Sequence, residues 1–394
     1  MWGSTRIPSK VYQALYPLKK HFRCAQARHF LVFCWLVMAL IRDPGKGTLK
    51  GLQSYLPPTL KYWTTVRMIR SGQWDAEAVV CDMATATLRA LPPPADGVLY
   101  LIGDSTLKDK RGRKHPLGHT TRHSEHDPYS FGFEMVLLIA SWGRFRVPVA
   151  LAPMEPAIKG HQNILFRQML KDFVPPAWVR QIVVVADAGF AANATLRLIT
   201  EKHYTYVFAM PRTRKFTNGK HLRDLVQHVP KSCSYRRASH KPDGRRQDYW
   251  VFTRHATLHN LGDVTIVLSK KRRNQGPKGV KIIVTNLTEA SAGAILSIYA
   301  WRWGIEVTIK ELKSGLHLGQ MQVTKERERV ERSVALSVLA YLLLVRLSGR
   351  DEALTKEWSL FKLKERFIGE VAQDAVWRTE LKWQRKLKQF KDVA

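Results

Sequence analysis

Cysteine is scarce in this 394-residue sequence. The four that occur form no CxxC pair and show no framework spacing: Cys24, Cys34, Cys81 and Cys233. A disulfide-stapled secreted domain is therefore excluded, and the thiols are expected to be reduced and buried, as in a cytosolic protein. The chain also opens without the charged segment, apolar segment and cleavage site of a secretory signal, which favours the same compartment.

Long apolar runs are absent as well. The longest, Phe30–Ile41 and Val334–Val345, fall short of the roughly 20 residues that span a bilayer. We interpret both as buried helices and expect no membrane-spanning segment. Apolar residues still make up 45% of the chain, which indicates a folded protein, and the length allows two or three domains.

Acidic residues are scarce relative to basic ones. Against 64 Lys and Arg the chain has only 32 Asp and Glu, a net charge of +32. An excess of this size implies a polyanionic partner, nucleic acid first and an anionic membrane surface second.

Residues 1–95 are predicted to form a basic helical domain. They carry 13 basic and 4 acidic side chains, a net charge of +9. The pattern breaks at Asp43–Gly47 and at Pro57-Pro58, and Thr59–Leu91 has the periodicity of one or two helices. A DNA-binding domain and a helical scaffold with a solvated basic face both fit, because no recognition-helix pattern stands out. The Pro-rich segment Leu91–Gly97 is the clearest linker.

Residues 96–212 alternate between strand and helix patterns. Two continuous apolar runs indicate buried strands, and two longer runs around Gly143 indicate an antiparallel hairpin. The predicted elements are, in order, strand Val98–Ile102, strands Tyr129–Trp142 and Arg144–Ala152, helix Gln162–Phe173, strand Ile182–Ala186, helix Ala192–His203 and strand Tyr204–Met210. This order is that of an α/β fold of the RNase H-like class, with a mixed sheet and flanking helices.

Residues 213–281 interrupt that pattern as a basic, β-rich insertion, with strand-like runs at Asp248–Thr253 and Val264–Ser269. Residues 211–281 carry 18 basic and 4 acidic side chains, a net charge of +14. The core resumes over residues 282–348, from the strand Ile282–Asn286 to the apolar helix Ser333–Leu347. Residues 349–394 are predicted to form a charged helical C-terminal region, with three tryptophans as packing anchors: Trp358, Trp377 and Trp383.

One stretch, residues 289–315, is predicted to form a single long helix. Thr288 and Glu289 offer a cap and an acidic first turn, and Gly315 offers a stop. Tyr299, Arg302, Glu306 and Lys313 then fall within roughly 60° of one another on one face. Trp301 and Trp303 lie on other faces and are expected to pack.

A carboxylate among cations suits a site that binds a divalent metal beside a phosphate. The alternative is an exposed face with i, i+4 ion pairs.

The spacing Tyr299-x2-Arg302-x3-Glu306-x6-Lys313 resembles, at every position, the YREK signature of bacterial insertion-sequence transposases of the DDE type. Asp104 and Asp187, each directly after an apolar strand pattern, fit the same family in the right order. The resemblance covers roughly residues 96–345. It implies an RNase H-like catalytic domain in a cut-and-paste transposase that acts on double-stranded DNA, as a homodimer in the synaptic complex, in the bacterial cytoplasm at the nucleoid.

The residues themselves suggest the chemistry. Asp104 and Asp187 are expected at the ends of neighbouring strands, where ligands bind in open α/β sheets, with Glu306 approaching from the helix. Three carboxylates can hold two Mg²⁺ ions, with Mn²⁺ as a substitute, for in-line displacement at phosphorus. The resemblance implies that Tyr299, Arg302 and Lys313 contact DNA phosphates.

Three alternatives stay open at this point. The chain could be a metal-dependent endonuclease of the same fold without strand transfer, or a non-catalytic DNA-binding protein derived from a transposase. A histidine cluster in the loop after Asp104 could bind zinc, although a basic loop near DNA is the favoured interpretation; its members are His115, His119, His123 and His126.

Overall fold

The computed structural model describes residues 7–22, 27–110, 115–121, 129–229, 235–240, 247–321, 326–349 and 359–373. The chain divides into two compact units. The first comprises residues 1–92, 114–116 and 310–394, and the second comprises residues 93–113 and 117–309.

In the described ranges, helices dominate the two ends of the chain and strands dominate its middle. The α-helices are α1 Ser9–Leu15, α2 Ala27–Arg42, α3 Leu49–Leu52, α4 Tyr62–Arg70, α5 Ala76–Ala90, α6 His161–Asp172, α7 Asn193–Glu201, α8 Leu222–Gln227, α9 Ala292–Ala300, α10 Trp303–Gly315 and α11 Arg327–Ser348. Residues 360–373 are also helical. The strands are β1 Val98–Asp109, β2 His119–Thr121, β3 Ser130–Trp142, β4 Phe145–Pro153, β5 Gln181–Ala186, β6 Thr205–Ala209, β7 Arg236–His240, β8 Gln247–Leu258, β9 Gly262–Lys270 and β10 Lys281–Thr285.

The first unit is built around the apolar helix α11. Its residues from Val334 to Val345 are buried, and helices α2 and α5 contact it. Helix α2 is also buried along most of its length from Phe30 to Ile41. Both apolar runs therefore form buried helices, as predicted, because an all-round apolar helix is stable only when it is covered. No helix in the described residues is long and apolar enough to cross a membrane.

Side-chain hydrogen bonds mark the start of α5 and the break after α2. Asp75 accepts a hydrogen bond from the backbone N–H of Ala78 and starts α5. After α2, the carboxylate of Asp43 accepts the N–H groups of Gly45 and Gly47 at 2.8 and 2.7 Å, which holds the predicted break at this position. The stretch from Thr59 to Leu91 forms two helices, α4 and α5.

The second unit contains one ten-stranded mixed sheet. The strand order is β2-β3-β1-β5-β6-β10-β9-β8-β7, with β4 paired to β3. Strands β1, β5 and β6 run parallel, and the other pairs are antiparallel. The predicted hairpin is present as β3 and β4, joined at Gly143, whose φ of +51° suits a residue without a side chain. This mixed α/β sheet confirms the predicted fold class.

The strands of the predicted insertion continue the same sheet. Strand β9 pairs antiparallel with β10, and β10 pairs with β6 of the core. The β-rich character predicted for residues 213–281 is therefore present as β7, β8 and β9. The division of the chain at residues 95, 212, 281 and 348 stays a prediction.

Two details differ from the sequence predictions or lie beyond the described residues. Cys34 is buried, but Cys81 is exposed on α5, so the prediction of buried thiols was wrong for Cys81. An exposed position on an amphipathic helix tolerates a small side chain such as cysteine. The other two cysteines and the three predicted tryptophan anchors lie outside the described residues: Cys24, Cys233, Trp358, Trp377 and Trp383.

Candidate active site

Asp104 and Asp187 lie side by side at the carboxyl edge of the parallel strands. The parallel pairing of β1 with β5 ends at the pair Gly103 and Ala186, so Asp104 is the next residue of β1 and Asp187 directly follows the end of β5. The prediction that Asp104 ends its strand was wrong, because β1 continues to Asp109 through its antiparallel pairing with β3. The side chain of Asp104 is 16% exposed.

Local hydrogen bonds fix both carboxylates. Oδ1 of Asp104 accepts the N–H of Ser105 at 2.8 Å. Oδ1 of Asp187 accepts the N–H of Gly189, also at 2.8 Å, and caps a short 3-10 turn. Asn163 on α6 donates to the carbonyl of Gly189 and ties this turn to the helix. The two carboxylates are therefore held in place before any ligand binds.

The stretch expected to be one long helix is two helices. Ser291, not Thr288, caps α9 by accepting the N–H of Ala294, and α9 ends at Ala300. A tight turn follows, in which the N–H of Arg302 bonds the carbonyl of Tyr299 and α10 then begins at Trp303.

Stacking explains the position of this turn. The indole of Trp301 stacks on the ring of Tyr100, with centroids 4.5 Å apart and an interplanar angle of 15°. Tyr100 and Asp104 are four residues apart and share one face of β1. The contact therefore anchors the turn beside Asp104. Trp301 packs as predicted, but Trp303 does not, since it is 60% exposed. Its position at the first residue of α10, after the break, changes the face that it occupies.

Arg302 connects the two parts of the site. Its guanidinium donates to Oε1 of Glu306, and its Nη1 lies 3.6 Å from Oδ2 of Asp104. The side chains of Arg302 and Glu306 are 18% and 34% exposed. The helix break therefore leaves Tyr299, Arg302 and Glu306 in one cluster with the two aspartates.

Burial and neighbouring charges shift the pKa values of the cluster. Burial, reinforced by the charge of Asp187, raises the pKa of Asp104 to about 6. Burial also raises the pKa of Tyr299, which lies near Arg302 and both aspartates. Burial lowers the pKa of Arg302, but the interactions with Tyr299 and Glu306 raise it by more, so this pKa lies above its ordinary value. The carboxylates therefore favour an added positive charge at this edge.

A comparison with family models identifies the family of the chain. The model of a family described as "Transposase DDE domain" matches residues 119–343, more than half of the chain. The chain belongs to the transposase DDE domain family. Among curated proteins, no match was found.

A solved structure has a similar fold. It is described as "Cryo-EM structure of piggyBac transposase synaptic complex with hairpin DNA", and the similarity has a TM-score of 0.50. The identity is 12%, and the similarity covers 96% of this chain and 75% of that one. The likeness supports the RNase H-like fold class for this DDE-domain protein.

The remaining predicted residues of this DDE-domain chain are not part of the carboxylate cluster. Lys313 is half-buried in the last turn of α10, two turns beyond Glu306. Of the four histidines, His115 and His119 are described and the other two lie outside the described residues. No group of three His, Cys, Asp or Glu in the described ranges is close enough to hold a metal ion, and this applies to Asp104, Asp187 and Glu306 as well as to the two described histidines.

Sequence reasoning missed Lys281, the first residue of β10. Its ammonium lies 5.0 Å from the ring centroid of Tyr299. A single lysine at a strand start carries no motif, and only the pairing of β10 with β6 brings it to this edge.

The donor set suits a hard divalent cation. Asp104, Asp187 and Glu306 offer only carboxylate oxygens, the ligands that Mg²⁺ and Mn²⁺ prefer. Arg302 places one positive charge between Asp104 and Glu306.

Proposed function

We propose that this protein is a DNA transposase. It binds the terminal inverted repeats of its mobile element, cleaves the ends by phosphodiester hydrolysis and joins the 3′-OH ends to target DNA. The observation that carries the proposal is the pair Asp104 and Asp187 on adjacent parallel strands, with Arg302 and Glu306 beside them, in a chain that belongs to the DDE-domain family.

Each acidic residue has a proposed role. Asp104, Asp187 and Glu306 would hold two Mg²⁺ ions, which would supply an activated oxygen nucleophile and stabilise the leaving oxygen. The hydrogen bonds from Ser105 and Gly189 keep the two aspartates oriented for this task. Mn²⁺ is the expected substitute.

The cations and the phenol are proposed to position DNA. Arg302 has a planar fork of donors that can bind a phosphate through two hydrogen bonds. Lys313 is proposed to hold the next phosphates of the same strand, and Tyr299 to donate to a phosphate near the cleaved bond. The net charge of +32 supports a nucleic-acid partner, since phosphate contacts dominate DNA affinity.

The assembly is proposed to be a homodimer on paired transposon ends, acting on nucleoid DNA in a bacterial cytoplasm. The basic helical region over residues 1–95 is proposed to bind the element end. No membrane partner is proposed.

Two alternatives predict different products. A metal-dependent endonuclease of the same fold would give nicks or breaks without joined products. A non-catalytic DNA-binding protein would give neither, and the presence of all three acidic residues disfavours it.

The test is a strand-transfer assay with purified full-length protein, Mg²⁺, a labelled duplex carrying the inverted repeat that flanks the gene, and a supercoiled target plasmid. Labelled plasmid is the expected product. Cleaved duplex without labelled plasmid would support the endonuclease, and intact duplex would contradict both enzymatic functions.

A further inference from the structure

Lys281 lies at the same sheet edge as the catalytic aspartates. Strand β10 runs antiparallel to β6, so the first residues of β10 lie beside the end of β6. The N–H of Met210, directly after β6, donates to the carbonyl of Ile282 at 2.9 Å. Strand β6 is parallel to β5, which ends at Ala186 just before Asp187. The topology thus brings a lysine from the far side of the sheet to the carboxylates.

The side chain of Lys281 faces the site. Its Nζ lies 5.0 Å from the ring centroid of Tyr299, a buried residue of the cluster. Partial burial of the ammonium and then the nearby charge of Arg302 lower its pKa, while Glu306 and Asp187 act in the opposite direction. Lys281 is therefore within electrostatic reach of both halves of the active site.

A second lysine accompanies it. The register of β9 and β10 pairs Lys281 with Ser269, so the chain leaving β9 places Lys271 at the same end. The charge of Lys271 also lowers the pKa of Lys281. Within the described part of the chain, neither lysine forms an ion pair with a carboxylate, whereas Arg302 is paired with two. Two cations at one edge repel each other unless an anion lies between them.

We propose that Lys281, with Lys271 beside it, binds a backbone phosphate of the DNA end next to the reacting phosphate. The inference rests on the proposed function and adds a phosphate-binding residue from β10 to the residues of the α9–α10 segment. The ring of Tyr299 fixes the lysine by a cation–π contact, and the ammonium can then serve as a point charge toward phosphate oxygens.

The test compares Lys281→Ala with Lys278→Ala in the full-length protein. Both lysines are exposed, and each substitution removes one positive charge, but Lys278 has no contact with Tyr299. Affinity for the inverted-repeat duplex is measured in EDTA from about 50 to 200 mM salt. We expect Lys281→Ala to lower the magnitude of the salt slope by about 0.9, the value for one phosphate contact, and Lys278→Ala to leave it unchanged.

A second measurement locates the phosphate. Single phosphates around the cleavage site are replaced by neutral methylphosphonates, one per duplex. In the wild-type protein one replacement near the cut should weaken binding, and in Lys281→Ala the same replacement should have no further effect, because the contact is already lost. Lys281→Arg should restore sensitivity to that replacement.

The outcomes separate the two proposals. Suppose that the wild-type protein binds and cuts the duplex but Lys281→Ala behaves like Lys278→Ala in both measurements. Lys281 then does not contact a DNA phosphate, and this inference is wrong. If Lys281→Ala loses affinity without losing sensitivity to any one phosphate, the specific contact is likewise wrong. A wild-type protein that neither binds nor cuts the duplex overturns the proposed function and, with it, this site.

Discussion

The guanidinium of Arg302 donates to the carboxylate of Glu306 and also lies within ion-pair distance of Asp104. A positive charge between two carboxylates occupies the position that a bound cation would favour. We therefore expect Arg302 to compete with metal in the free protein, and to contact phosphate only when the carboxylates bind another cation.

Replacing Arg302 should have opposite effects on metal binding and on cleavage. In DNA-free protein, Arg302→Ala should bind Mn²⁺ about tenfold more tightly, a change of ~1.4 kcal/mol, because the competing charge is gone. On DNA the same variant should cleave more slowly, since it lacks the guanidinium that can donate two hydrogen bonds to a phosphate. Arg302→Lys should not restore the rate, because an ammonium cannot make this paired contact. Mn²⁺ binding is measured by electron paramagnetic resonance of the free ion.

The matched control for this prediction is Arg327→Ala. Arg327 forms a similar i, i+4 pair with Glu331 on α11, at 2.7 Å, so its loss removes the same kind of ion pair elsewhere. It should leave Mn²⁺ binding unchanged. Equal Mn²⁺ affinities for wild type and Arg302→Ala would show that the arginine does not compete with metal.

The three acidic residues should be required for cleavage but not for binding. Asp104→Asn, Asp187→Asn and Glu306→Gln should each lower the cleavage rate in Mg²⁺ by at least about 100-fold, while DNA affinity stays within about threefold, because binding comes from distributed Lys and Arg contacts. Single-turnover cleavage and filter binding measure the two quantities. Asp172→Asn, on the exposed end of α6, is the control and should cut normally. A variant that keeps a tenth of the wild-type rate would identify a wrongly assigned acid.

The pKa of Asp104 predicts a stability change with pH in the metal-free protein. Burial and Asp187 raise this pKa from 3.8 to about 6, so ionised Asp104 destabilises the fold above pH 6 by about 3 kcal/mol at most. The favourable contribution of the neutral form is complete below pH 4 and is lost as the pH rises through 6. Asp104→Asn should therefore melt at a higher temperature than wild type at pH 8 in EDTA, and the difference should vanish below pH 4.

Asp82 provides a control of opposite sign. Burial raises its pKa, but hydrogen bonds from Lys20 and His21 outweigh burial, and the net direction is downward. Its contribution to stability is present above the ordinary aspartate pKa and is lost as the pH falls through the lowered value. Asp82→Asn should therefore lower the melting temperature at pH 8. If Asp104→Asn lowers the melting temperature at pH 8, as Asp82→Asn should, the environment assigned to Asp104 is wrong.

The sequence predicted the elements whose patterns are local. The apolar runs at Val98–Ile102 and Ile182–Ala186 identified the strands that carry Asp104 and Asp187, because continuous apolar strands must be buried on both faces. Gly143 identified the hairpin, since a tight turn needs a residue that tolerates positive φ. Each of these features can be recognised from residues that are close together in the sequence.

The features that the sequence did not predict depend on contacts between distant residues. The helix break at Trp301 and Arg302 coincides with the stacking of Trp301 on Tyr100, a residue about 200 positions earlier in the chain. Lys281 reaches the site through the pairing of β10 with β6. The helical periodicity of the sequence shows no interruption at the break, and it predicted that Trp303 packs. In the structure Trp303 is exposed.

Gly103 sets the position of Asp104 through the helix on the other face of the sheet. A Cβ at Gly103 would overlap the ring of Phe166, which is fully buried on α6. Gly103→Ala must therefore displace either this ring or strand β1, an overpacking that costs about 1–3 kcal/mol. We expect a lower melting temperature and, because Asp104 is the next residue, a larger loss of cleavage than of DNA binding.

The control and the rescue for this prediction follow from the same packing. Gly276→Ala adds the same methyl group where no atom lies within 4 Å, and it should change neither stability nor cleavage. Adding Phe166→Leu to Gly103→Ala makes room for the methyl group, so the double variant should be more stable than the sum of the two single effects. Denaturant unfolding measures the coupling, and single-turnover cleavage measures the site. If the two effects are strictly additive, strand β1 and not the Phe166 ring is displaced by the methyl group. If the double variant recovers both stability and cleavage, the Phe166 contact positions the Asp104 carboxylate.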